Sequence, residues 1–185
     1  MRDDPYFVSC NDYKLEEYRR LFRSANASFK AFSYKIIEPQ TSDYKAIALH
    51  KVLEAYQHIG HPVIVETCGV SIDSMSGFPS GLNSEFWRLL GNTVCEITSV
   101  LGNLASATTM LAYCDGRKVF FFEDTIRGSI ASTLSQKGSF VVDRVFVPYG
   151  MSKSLSELSP AERDKYSYRA KPAHMLVAHL LSKRV

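Results

Sequence analysis

Three short apolar runs decide the fold: Tyr-Phe-Val-Ser-Cys at residues 6–10, Phe-Ser-Tyr-Lys-Ile-Ile at 32–37 and Val-Ile-Val at 63–65. Between the first two, Leu15, Tyr18 and Phe22 recur at i, i+3 and i+7, so a helix begins near Tyr13. Between the second and third, Leu49, Val52, Leu53 and Tyr56 mark the inner face of a helix from about Tyr44 to Ile59, stopped by Gly60-His61-Pro62. Val63-Ile64-Val65 is apolar without alternation, the pattern of a strand covered on both faces. Strand, helix, strand, helix, strand over the first 67 residues predicts an α/β sheet.

Beyond this unit the pattern changes. Phe86 to Leu101 reads as mostly helical, interrupted at Gly91. Ala107–Tyr113 and Val119–Glu123 flank Cys114-Asp115-Gly116, a hairpin signal that adds antiparallel strands. Further strands are expected around Thr125–Ile130 and Arg144–Val147. Two helices close the chain, one capped by Ser159 with Pro160 at its first position and one from about Pro172 to Leu181. No repeat, low-complexity tract or linker divides residues 1–185, which predicts one domain of two lobes, the middle lobe covering about 70–145.

Composition narrows the function. Lys and Arg number 22 against 19 Asp and Glu, and a net charge of +3 is too small to imply a nucleic-acid surface. The four cysteines (Cys10, Cys68, Cys95 and Cys114) form no CxxC pair and read as reduced thiols of a cytoplasmic protein. The opening MRDDPYFVSC is acidic where a secretory signal is basic, and the apolar runs fall far short of the ~20 residues that span a bilayer. His58 and His61 straddle the helix stop, and His174 and His179 are five apart, so neither pair sits on one helical face. No nucleophile elbow, Walker loop, zinc-binding HExxH or dinucleotide fingerprint is present.

Small polar segments instead stand at the predicted strand ends: Ser9-Cys10-Asn11-Asp12-Tyr13-Lys14, Glu66-Thr67-Cys68-Gly69, Gly138-Ser139-Phe140-Val141-Val142-Asp143 and Ser167-Tyr168-Arg169. Their order and spacing, with Pro79 and Pro148-x-Gly150, resemble the HAM1 / inosine triphosphate pyrophosphatase family from about Tyr6 to Leu181. That family reads (T/S)-G-N-x-x-K, (E/D)-D-(T/S)-G-(L/V), F-G-(W/Y)-D and S-H-R. The resemblance implies a two-lobed α/β fold: a central mixed sheet flanked by helices, with a nucleotide cleft between lobes. It also implies a homodimer and magnesium-dependent hydrolysis of inosine- and xanthosine-type triphosphates at the α–β bond. By the same resemblance Ser9, Asn11, Lys14 and Lys51 bind phosphate, and Phe140, Asp143, Arg163, Tyr168 and Arg169 surround the base. The chemistry suits a 6-oxopurine. An ionised carboxylate accepts from its N1–H and guanidinium groups donate to its oxygen, whereas adenine presents the opposite pattern.

The departures matter as much. Ungapped from Pro62 to Pro79, the family's catalytic Asp falls on Thr67, and counting back along the second helix puts its metal-binding Glu on Ala46. Tyr168 replaces the His, and Val141-Val142 replace Gly and a large aromatic. Two carboxylates lost where magnesium would sit predict a pocket that binds dITP or ITP and no longer cuts it, needing no cofactor. Such a protein resembles the HAM1-like sensor of the bacterial Kongming anti-phage system, whose partner effector is a Sir2-like NADase. The alternative is an active Mg2+-dependent pyrophosphatase with a shifted site built from Asp43 and Glu66.

Overall fold

The computed structural model describes residues 4–182. One six-stranded mixed sheet is ordered β2-β1-β3-β4-β5-β6. Its members are β1 (Tyr6–Val8), β2 (Lys30–Phe32), β3 (Val63–Ile72), β4 (Leu104–Cys114), β5 (Val119–Ile130) and β6 (Phe146–Pro148). The β2-β1-β3 side is parallel, and every pairing from β3 onward is antiparallel. The helices are α1 (Asp12–Arg23), α2 (Tyr44–Ile59), α3 (Asn83–Leu90), α4 (Thr93–Leu101), α5 (Val141–Val145), α6 (Pro160–Tyr166) and α7 (Ala170–Ser182). Among the described residues, no helix is long and apolar enough to cross a membrane.

Helices α1 and α7 cover one face of the sheet. Phe7, Ile64 and Leu111 meet Leu15, Tyr18 and Phe22 of α1 and Ala173, Leu176 and Leu180 of α7. Helix α2 covers the other face, over Val63, Val65, Met110 and Ala112. A third cluster lies around the far end of β3, where Val70 and Ile72 join Phe86, Trp87, Val94, Phe146 and Tyr168. Strand β3 therefore runs through all three clusters. Its two-residue alternation points Ile64 and Glu66 to the α1/α7 face and Val65 and Thr67 to the α2 face.

Several expectations need correction. Only Lys30–Phe32 pairs as the second strand, and residues 33–43 leave the sheet without regular secondary structure. The third strand continues to Ile72 because β4 pairs along its whole length. The stretches Val119–Glu123 and Thr125–Ile130 are one continuous strand. Arg144–Val147 is instead a helical turn running into the short β6.

Helix α2 is rotated from its expected face. Ile47, Ala48, Val52 and Ala55 are buried, while Leu49 and Leu53 are 40% and 44% exposed. The small Ala48 and Ala55 let the helix lie close to the sheet, a tighter contact than two leucines allow. The same rotation turns Lys51 inward. At the end of α2, Gly60 takes the left-handed conformation (φ 69°) and returns its N–H to Tyr56 O, which aims the chain into β3.

Candidate functional site

Three local structures converge at the C-terminal end of β1 and the Glu66–Cys68 stretch within β3. After β1, Asn11 caps α1 by accepting the Lys14 N–H at 3.1 Å, and the Asn11 N–H is held by Ser9 Oγ at 3.1 Å. This turn directs the Lys14 side chain to β3, where its Nζ meets Glu66 Oε2 at 2.6 Å and donates to Cys68 Sγ at 3.3 Å. From α2, Lys51 Nζ donates to the Glu66 backbone carbonyl at 2.7 Å and pairs with Glu38 on the 33–43 segment. A cavity of about 260 Å³ opens here, lined by Ser9, Asn11, Lys14, Glu38, Lys51 and Glu66 among others. A smaller one of about 60 Å³ shares Lys14, Glu38 and Glu66 and adds Thr67, Asn83 and Phe140. The expected phosphate-binding set is thus gathered on one wall.

The expected base-binding set takes a different form. Arg169 is fully buried and contacts three carboxylates: Glu66 at 2.9 Å, Asp143 at 3.0 Å and Glu17 at 3.1 Å. Tyr168, also fully buried, donates to Asp143 Oδ1 at 2.6 Å and accepts from Arg169 at 2.9 Å. Ser167 Oγ donates to Glu17 at 2.5 Å. Asp143 is paired with Arg169, and its sequence neighbour Arg144 donates to Ser135 O instead. Phe140 links this network to the cavity. Lys14 Nζ lies 4.4 Å and Arg169 Cζ 5.0 Å from its ring centroid, while the ring lines the smaller cavity with Val141 and Val142. Arg163 lies at the edge of this network, its Nε 3.8 Å from Glu17, and stacks on Tyr13.

The electrostatics follow from burial and neighbours. Burial pushes the Glu66 carboxyl up, but Lys14 and Arg169 outweigh it and hold it at about 2. Glu17 goes the other way: burial raises it to about 7, with Arg169 opposing and Asp143 adding repulsion. Burial also lifts the Cys68 thiol to about 11, with Glu66 adding to the rise, so it is neutral near pH 7. Glu66 is accordingly a fixed anion that anchors Lys14 and Arg169.

The positions invoked for metal binding are placed otherwise than counted. Ala46 is exposed in the first turn of α2, where its N–H bonds to Asp43 Oδ1, and it lines neither cavity. Asp43 is the cap of α2, its Oδ1 also taken by the Lys45 N–H at 2.8 Å. Asp43 lines neither of the two cavities, whereas Glu66 lines both. Glu38, which reads in the sequence only as the end of a strand, is the additional cavity carboxylate and is about a third exposed. A Glu-Pro pair followed by a capped helix marks a chain reversal, the one sequence signal that could have drawn attention to it. Thr67 offers a neutral hydroxyl beside it. Among the described residues no three His, Cys, Asp or Glu side chains gather as a metal cluster. Magnesium, however, commonly takes one or two carboxylates and completes its shell with water and substrate phosphates. Glu38 fits that role for an ion arriving with a triphosphate.

Comparison with known proteins places the chain in a family. The Ham1 family matches residues 5–179. A dITP/XTP pyrophosphatase of Hyperthermus butylicus is 27% identical, with 91% of this chain and 90% of that protein aligned. An inosine triphosphate pyrophosphatase of Encephalitozoon cuniculi is 30% identical over 96% of this chain and 93% of that protein. Among solved structures, a HAM1 protein from Coxiella burnetii superposes with a TM-score of 0.80 at 20% identity, covering 97% of this chain and 100% of that one, and so shares the fold.

Proposed function

This chain belongs to the Ham1 family, and we propose that its cleft binds 6-oxopurine nucleoside triphosphates (dITP, ITP or XTP) and cleaves them to monophosphate and pyrophosphate. The observation that carries this reading is the wall of the larger cavity, where the Lys14 ammonium pairs with Glu66 and the Lys51 ammonium pairs with the Glu38 carboxylate. Ammonium groups at a capped helix start oppose the charge of a polyphosphate. Glu38, with the phosphates themselves, would hold Mg2+, which supplies charge neutralisation at the transferring phosphoryl group. Phe140 offers a ring to stack on a purine, and the resemblance assigns discrimination of a 6-oxo from a 6-amino group to Asp143, Tyr168 and Arg169, which lie buried behind it and bond to one another.

The test is product analysis. The protein is incubated with dITP, XTP and dATP, with and without magnesium, and pyrophosphate and monophosphate are quantified. Release from dITP and XTP but not dATP supports the reading; magnesium-independent or absent release overturns the hydrolytic half.

A second reading keeps the binding and drops the cut: a dITP or ITP sensor that activates an effector, such as a Sir2-like NADase in anti-phage defence. Thr67 favours it, because a neutral hydroxyl cannot act as the general base that a carboxylate at that position would provide. Preferential dITP binding without any pyrophosphate release, together with effector activation on adding dITP, selects this reading.

A further inference from the structure

Arg163 on α6 occupies an uncomfortable place. It is 9% exposed, its Nε has no hydrogen-bond partner among the described residues, and a Glu17 oxygen lies 3.8 Å away. The neighbouring Arg169 guanidinium repels it. What fixes Arg163 is Tyr13, in the first turn of α1 and next to Lys14. The Arg163 Cζ sits 4.4 Å from the Tyr13 ring centroid, and an Arg163 N–H donates to the Tyr13 hydroxyl. The same hydroxyl packs against Gly138, two residues before Phe140. Gly138 has φ 77°, and a Cβ there would lie 3.3 Å from the Tyr13 oxygen. Tyr13 thus touches both segments that carry base-site residues, 138–143 and α6.

We propose that Tyr13 is a positioning residue for base selection, holding Arg163 so that its unpartnered Nε–H donates to the 6-oxo oxygen of the bound purine. This rests on the 6-oxopurine reading above. A buried donor without an acceptor is costly, and a ligand that supplies the acceptor removes the cost. Adenine turns amino hydrogens toward the same donor and leaves it unsatisfied, so the placement discriminates as well as binds. The ring holds the guanidinium from below by cation–π attraction, and the hydroxyl fixes its rotation.

The experiment is calorimetry with dITP and dATP on the wild type, Tyr13→Phe and Tyr13→Ala, with thermal melting of each. Tyr13→Phe should weaken dITP about tenfold and leave dATP within about twofold, the scale of one hydrogen bond to a charged group. Tyr13→Ala, which also removes the ring, should reduce the preference further; if it does not fold, Tyr13→Phe decides alone. Equal weakening of both nucleotides, or none, overturns the proposal, since a purely structural contact between α1 and α6 would not change their ratio. A wild type that shows no preference for dITP instead removes the 6-oxopurine reading itself, and this inference with it.

Discussion

Replacing Arg169 by methionine is the sharpest perturbation of the buried network. The guanidinium contacts Glu17, Glu66 and Asp143 with no exposure of its own, so its removal strands three carboxylates with Lys14 on one of them. Breaking a buried ion pair from one side costs about 3–5 kcal/mol, and for a chain of this size each kcal/mol lowers Tm by roughly 2–4 °C, so a fall of roughly 6–20 °C is expected near pH 8. The deficit should also depend on pH. Arg169 lowers both the Glu17 and the Glu66 carboxyl, so without it these two rise, and their protonation relieves stranded charge as the pH falls. Urea unfolding of wild type and Arg169→Met at pH 8 and pH 5 reads both effects, with the smaller difference expected at pH 5. A difference under about 1 kcal/mol at pH 8, or one equal at both values, would refute the assignment of Arg169 as the counter-ion of this cluster.

Other outcomes follow from the same geometry. Glu17 is raised from the ordinary 4.5 to about 7, so its contribution is fully present below about 4.5 and lost as the pH rises through about 7. That shift corresponds to on the order of 3 kcal/mol. Glu66, lowered to about 2, contributes above about 4.5 and loses that contribution as the pH falls toward 2. Stability measured against pH should therefore peak in the weakly acidic range, and Glu17→Gln should flatten the decline toward pH 8; an unchanged slope contradicts the assignment. Glu38→Gln should cut magnesium-dependent pyrophosphate release about a hundredfold, the scale of one lost electrostatic contact in a transition state, with near-wild-type melting. Retained activity would remove Glu38 from the metal role. Thr67→Asp should raise turnover at least about tenfold by restoring a base beside Glu38, and an unaltered rate means that position 67 takes no part in the cut.

The sequence makes the parallel half of the sheet legible because apolar strands and amphipathic helices alternate there with clear turn residues. It also makes Asn11, Lys14 and the Ser167–Arg169 segment legible, since each adjoins the end of a regular element. Lys51 is recognised by resemblance, but its inward direction depends on the rotation of α2, which Ala48 and Ala55 set through close packing. Helical periodicity alone favours the larger Leu49 and Leu53. Glu38 escapes notice because its segment runs across the cleft without periodic structure, and only the fold brings it to Lys51. Counting residues back along α2 reaches Ala46, which lines neither cavity. The buried Glu17 is equally hidden, a charged residue on a core helix face whose reason is Arg169, 152 positions away.

The measurement that bears most directly on the central claim is titration of the unmodified chain with dITP and dATP by calorimetry, in magnesium and in chelator. The network around Arg169 and the cations at Lys14 and Lys51 predict dITP at least about tenfold tighter than dATP, from the hydrogen bonds that adenine cannot make. Equal affinities, or no heat from either nucleotide, would contradict it.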